Sequence, residues 1–92
     1  MIRDFKNRDT RRFFEGHRVA AYHGFSSQAV HRLTLLDSAE ALVDLAALPS
    51  NRLEALRGDR IGQHSIRINA QWHLCLRWTE DGPCDVEIVD YH

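Results

Sequence analysis

The sequence predicts an α+β fold, a twisted antiparallel sheet with N-terminal helices packed on one face. Three observations predict it. Apolar residues recur at helical spacing as far as Pro49 and not beyond it. From Arg52 onward they alternate, as on a half-buried strand. An Asp-Gly-Pro turn at Asp81–Pro83 then separates the last two alternating runs. Helices first and strands later is the order of a fold whose helices gather on one side of an antiparallel sheet.

"MIRDF" alternates weakly and reads as a short first strand. "DTRRFFEG" reads as a short helix, capped by Asp9 or Thr10 and stopped at Gly16. "HRVAAYHGFSS" has no period and reads as a connection. A helix follows in "SSQAVHRLTLLD", with Ser26 or Ser27 as cap and Val30, Leu33 and Leu36 on one face. "DSAEALVDLAAL" resumes the helical pattern after a break. Asp37 or Ser38 caps it, Ala39, Leu42, Val43 and Ala46 form its inner stripe, and Pro49 ends it.

The strands come next. "NRLEALRG" is short, with Leu53 and one of Ala55 or Leu56 inward, and "GDRIGQ" is a glycine-bounded loop. "HSIRINA" places Ser65, Arg67 and Asn69 opposite Ile66, Ile68 and Ala70. In "WHLCLRW", Trp72, Leu74, Leu76 and Trp78 share one face, and His73, Cys75 and Arg77 the other. "DVEIVDY" is the last strand, with Val86 and Ile88 inward.

The 92 residues suffice for one domain with a small core, so 1–92 is read as a single domain. A hydrophobic content of 43% and a charged content of 27% are ordinary for a soluble globular chain. No apolar run approaches the roughly 18 residues of a membrane span, and the charged start lacks a signal-peptide pattern. No membrane association and a cytoplasmic location are therefore expected. Two cysteines, Cys75 and Cys84, make no disulfide scaffold. They could join across a hairpin, but free thiols are the expectation, with Cys75 acting as a small apolar group. Charge is uneven. Residues 1–78 hold all 12 Lys and Arg against eight acids, a net of +4, and the last fourteen hold five acids and neither Lys nor Arg, a net of −5.

The residue patterns exclude several chemistries. No Cys-x-x-Cys and no helical His-x-x-x-His is present, so no metal site is assigned and no cofactor is expected. No Gly-x-Ser-x-Gly elbow exists, and "LRGDRIG" is too short for a phosphate-cradling loop. Arginines offer more. Arg52, Arg57, Arg60, Arg67 and Arg77 fall between Asn51 and Trp78, interleaved with Trp72 and Trp78. Guanidinium groups suit paired hydrogen bonds to phosphate, and an exposed tryptophan can stack on a base. Of these arginines, Arg57, Arg60, Arg67 and Arg77 are assigned to phosphate. The chain then closes on Asp90-Tyr91-His92. Metal-free RNA cleavage needs a base for the ribose 2′-hydroxyl, positive groups for the phosphate and an acid for the leaving oxygen. A histidine works as either acid or base near neutrality.

Taken together, "NRLEALRGDRIGQHSIRINAQW" and the terminal "VEIVDYH" resemble the HigB branch of the RelE-type toxins of bacterial toxin–antitoxin pairs. The ordered signature L-x-G-D-R-x-G-x-x-S-I-R-I-N-x-x-W carries the resemblance, which spans nearly the whole chain from "MIRDFKNRDT". It implies a small RelE-like fold. It implies a ribosome-dependent endoribonuclease that cuts mRNA in the A site, without metal, leaving a 2′,3′-cyclic phosphate. It also implies a HigA-like helix-turn-helix antitoxin, through which operator DNA is reached only indirectly.

The resemblance further implies site residues. Arg57, just before Gly-Asp-Arg, would bind phosphate. Tyr91 and His92 would position a base and move protons, with Asp90 orienting a neighbour. Where some members carry a histidine this chain has Glu54, so either that role is dispensable or Glu54 supplies the base. Where members usually carry an arginine after the tryptophan this chain has His73. Loss of a charge contact in the transition state costs on the order of 3–4 kcal/mol, or about 100- to 1000-fold in rate. His73 thus marks either an added proton carrier or an attenuated toxin acting mainly as an antitoxin-binding partner.

Overall fold

The computed structural model describes residues 1–90. Its first helix, α1, covers Arg8–Phe14. Asn7 caps it, rather than Asp9 or Thr10. Its extended backbone brings the side-chain oxygen over the first turn, where it accepts from the Thr10 N–H at 2.8 Å. Thr10 is thereby released for other work. It is fully buried, its Oγ1 accepts from the Ile88 N–H at 3.0 Å, and it lies 3.4 Å from the Tyr22 hydroxyl. Gly16 ends the helix with φ +100°, a conformation open to glycine.

The expected connection holds a 3-10 turn at Ala20–Phe25, with Tyr22 and Phe25 buried. That turn runs directly into α2, Ser26–Ser38, so no side chain caps α2 and neither Ser26 nor Ser27 is called on. The inner face is rotated from the expected one. Ala29, Leu33 and Leu36 are buried, while Val30 is exposed. The next helix, α3, is only Leu42–Ala46, because the break before it is deeper than its sequence suggests. The Asp44 carboxylate accepts from the N–H groups of Glu40 and Ala41 at 2.9 and 3.0 Å. Asp37 instead accepts from the Ile2 N–H at 2.8 Å. Leu45 and Ala39 are buried, and Val43 faces solvent. A second 3-10 turn, Pro49–Asn51, leads to the sheet.

Four antiparallel strands follow in spatial order: β1 Glu54–Ala55, β2 His64–Arg67, β3 Trp72–Thr79 and β4 Gly82–Asp90. Between β1 and β2 the Gly58–Arg60 segment makes a third 3-10 turn. Ile66, Leu74 and Ile88 are direct partners in register and are all buried. With Leu33, Leu36 and Leu45 they form the core, against which Trp72 and Trp78 also pack. The alternation expected for β3 thus holds, and the helices cover one face. Leu53 is partly buried and packs against the core, Leu56 is partly buried, and Ala55 is exposed. No described helix is long and apolar enough to cross a membrane.

"MIRDF" forms a bridge rather than a strand. Phe5 pairs with Val86 in parallel, supported by Arg3 N–H to Pro83 O at 2.8 Å and Lys6 N–H to Val86 O at 2.9 Å. Thr10 then takes the N–H of Ile88, so the outer edge of β4 is covered. β4 carries one extra residue between the partners of Cys75 and Arg77, a bulge in which Asp85 adopts φ +52°. The Asp85 N–H donates to the Asp4 carboxylate at 2.6 Å.

The second sheet face is also partly closed. Ser65, Cys75 and Glu87 are successive partners across β2, β3 and β4, and all are buried. Arg60 and Lys6 reach Glu87 at 2.8 and 3.9 Å. Both cysteines are free thiols. Burial pushes the Cys75 thiol up to about 11. A raised value keeps the reactive thiolate to roughly one part in a thousand at pH 8. A native-state titration with a thiol-reactive disulfide reagent is expected to find one fast equivalent, the partly exposed Cys84, and a second only on denaturation. Two fast equivalents in the native protein would mean that this face is open.

Candidate active site

The site grows out of strand register. Arg67 at the end of β2 is the direct partner of His73 near the start of β3. Cross-strand partners bring their Cβ atoms to about 4.5–5.5 Å on one face. Glu54 pairs with Ser65, two residues before Arg67 on the same strand face. It is therefore a diagonal neighbour of Arg67, a separation of roughly 7–8 Å. The β2–β3 turn is tightened by Asn69, whose side-chain oxygen accepts from the N–H groups of Gln71 and Trp72, each at 2.8 Å. That turn sets Ala70 at the rim. The result is a cleft of about 290 Å³ lined by Arg52, Glu54, Arg67, Ala70 and His73. Its face is opposite the one packed on the helices, because Ile66 and Leu74 point into the core.

The cleft gathers two guanidinium groups, one carboxylate and one imidazole. Among the described residues no carboxylate forms an ion pair with Arg52 or Arg67. The arrangement can hold an anion between arginines while a carboxylate and an imidazole move protons beside it. Among the described residues no three His, Cys, Asp or Glu side chains are grouped as metal ligands.

The residues expected from the sequence are distributed as follows. Glu54, Arg67 and His73 meet in the cleft. Arg57 does not line it; it is exposed and stands at the head of the Gly58–Arg60 turn. Arg60 is held by Glu87 at 2.8 Å and by the Gln63 side chain at 3.1 Å. Its carboxylate partner lies in β4 and is not the neighbouring Asp59. Arg77 pairs with Asp85 at 3.4 Å. The acidic end of the sequence therefore has a structural use, since two of its carboxylates balance two arginines. Asp90 closes β4 opposite Trp72, and its carboxylate accepts from the Gln71 amide at 2.8 Å. Tyr91 and His92 lie outside the described residues.

Two differences from the sequence reading matter. Trp72 stacks on Phe25 with ring centroids 4.8 Å apart and meets Tyr22 edge-on at 6.0 Å, so its face is committed to the core side rather than to a base. Arg52 lines the cleft, a place that its membership of the arginine cluster does not by itself predict. Its position after Pro49-Ser50-Asn51 was the available signal, since a turn there redirects the chain.

Comparison with known proteins bears on the family and the fold. A family model described as the RelE-like toxin HigB of type II toxin–antitoxin systems matches residues 3–92. Toxin HigB-1 of Vibrio cholerae serotype O1 is 34% identical over 83 residues, covering 87% of this chain and 86% of that protein. In fold, the chain matches the YoeB/ParE toxin from Agrobacterium tumefaciens with a TM-score of 0.52 at 18% identity, over 97% of this chain and 96% of the other. The α+β architecture, the ordered Gly-Asp-Arg signature and these matches converge: the chain belongs to the HigB family of RelE-like toxins of type II toxin–antitoxin systems, and membership implies a protein antitoxin as partner.

Proposed function

We propose that the chain is a ribosome-dependent mRNA endoribonuclease that stops translation by cutting mRNA in the A site. The observation that carries this reading is the cleft in which Arg67 faces His73 with Glu54 on the same sheet face. In the proposed reaction Glu54 takes the proton of a ribose 2′-hydroxyl. The 2′-oxygen forms a bond to phosphorus, and the bond from phosphorus to the 5′-oxygen breaks. His92 or His73 supplies a proton to that oxygen, leaving a 2′,3′-cyclic phosphate and a free 5′-hydroxyl. Arg67 balances the charge that grows on the phosphate, which is the largest usual source of such catalysis. Arg57, exposed beside the cleft-forming strand, meets a neighbouring phosphate. Arg60 and Arg77 are already balanced by Glu87 and Asp85, so their share is smaller. Tyr91 positions a base and Asp90 orients a neighbour. The site would be restrained by a HigA-like antitoxin, which alone would contact operator DNA, and the setting is the cytoplasm, where the ribosomes are.

Primer extension on cellular mRNA after induction tests this. Discrete cuts are expected from the chain as it stands, with a fall of about 100-fold or more in His92→Gln. His73→Arg should cut at least as well as the parent. Cuts from His73→Arg alone would favour the reading of an attenuated toxin that acts mainly by binding its antitoxin. No cuts from either would sink the nuclease reading.

A further inference from the structure

We infer that Arg52 is a substrate-binding residue that holds an RNA backbone phosphate together with Arg67. The inference rests on the nuclease reading of the cleft. Its first support is backbone conformation. Arg52 sits at φ 46°, ψ 53°, in the left-handed region. Among the described residues only Asp85 shares a positive φ without being glycine. Glycine or asparagine normally fills such a position, because a Cβ crowds the following carbonyl there. A long cationic side chain is an unusual occupant of it, and that of Arg52 is exposed.

The second support is how firmly the position is set. Arg52 follows the Pro49–Asn51 turn, and its N–H donates to the Pro49 carbonyl at 3.1 Å. Asn51 is fully buried. Its amide donates to the Leu45 carbonyl at 3.0 Å, and its oxygen accepts from the Arg32 guanidinium. Helices α2 and α3 therefore both hold the residue that precedes Arg52. The third support is direction. Arg52 lines the same cleft as Arg67 and His73, and no carboxylate among the described residues forms an ion pair with it. Two guanidinium groups around one polar cleft match the non-bridging oxygens of a phosphodiester.

Arg52→Gly separates this role from a merely structural one. Translating ribosomes programmed with a defined mRNA would be treated with the parent protein, Arg52→Gly and Arg52→Lys, each also melted alone. Glycine suits the left-handed backbone, so its Tm is expected at or above the parent value. Its cleavage efficiency is expected to fall about 10- to 100-fold, chiefly through KM, as for a lost charge-assisted hydrogen bond. The plot of log affinity for the programmed ribosome against log salt should flatten by a slope of about 1, and Arg52→Lys should restore part of both losses. An Arg52→Gly protein that cuts like the parent overturns the assignment. So does one that loses Tm and activity together, which would make Arg52 a structural residue. A parent protein that cuts nothing overturns the nuclease reading and this assignment with it, so the two failures are told apart by the parent alone.

Discussion

Arg67→Gln is expected to lose about 100- to 1000-fold in mRNA cleavage while keeping its melting temperature. Arg67 stands directly across the β2–β3 pair from His73 and lines the cleft. Among the described residues no acid neutralises it, so its charge is available to a phosphate. Glutamine keeps most of the stem and removes only the charge and the fork of donors. The fold does not use that charge, so thermal unfolding should change little. Arg60→Gln is the informative contrast. Its guanidinium lies 2.8 Å from the buried Glu87 carboxylate, and removing it leaves that carboxylate, beside buried Cys75, with only the more distant Lys6 at 3.9 Å. Stability should fall there first, because a buried charge that loses its close partner is costly. Single-turnover cleavage on programmed ribosomes, with thermal melts of both variants, reads the two effects separately. Activity in Arg67→Gln within threefold of the parent would remove the cleft from consideration as the phosphate site.

The largest expected loss of stability is from Leu74→Ala. Leu74 has no exposed surface, lies at the centre of the row Ile66–Leu74–Ile88, and packs beneath the helical layer. Truncating a buried leucine typically removes 2–5 kcal/mol, the spread reflecting how far the surroundings collapse, so about that range is expected here. Folded domains hold only about 5–15 kcal/mol in total, so a large share of stability would go. For a domain of this size the melting temperature should drop by on the order of 10 °C or more. Ile61→Ala is the control, since Ile61 is 73% exposed and should shift stability by no more than about 0.5 kcal/mol. A Leu74→Ala protein that unfolds within 1 kcal/mol of the parent in urea would contradict the placement of the core.

These two residues also show what a one-dimensional reading can reach. The period of two around Leu74 and Arg67 assigns each to its sheet face, because alternation follows from strand geometry alone. The Gly-Asp-Arg signature leads to the family in the same way. Pairings across long separations are different. Glu87 meets Arg60 across 27 positions, and the β2–β3 and β3–β4 pairings together bring them to one face. Asp59 is adjacent in sequence but is not the partner. Helix ends are also set from outside. The turn ending at Phe25 feeds α2 without a break, which turns Ala29 inward and Val30 outward. Asp44 rather than Asp37 caps the start of α3, because Asp37 is engaged by the N–H of Ile2. Arg52 reaches the cleft through a left-handed backbone that neither composition nor periodicity reports. Helix edges and turn exits are therefore where tertiary contacts decide, while strand faces are decided locally.

The bridge between residues 3–6 and 83–86 has a consequence for the order of events in the cell. The first of these segments leaves the ribosome some eighty residues before the second. At about 5–20 residues per second it waits roughly 4–16 s for its partner. Contacts between such distant segments close late, since the loop entropy must be met before they form. During that interval β4 does not exist, Asp90 has no strand behind it, and the sheet behind the cleft lacks its outer strand. The residues that line the cleft are thus made before the strand that completes the sheet behind them, and the cleft gains its full backing only when β4 pairs with β3.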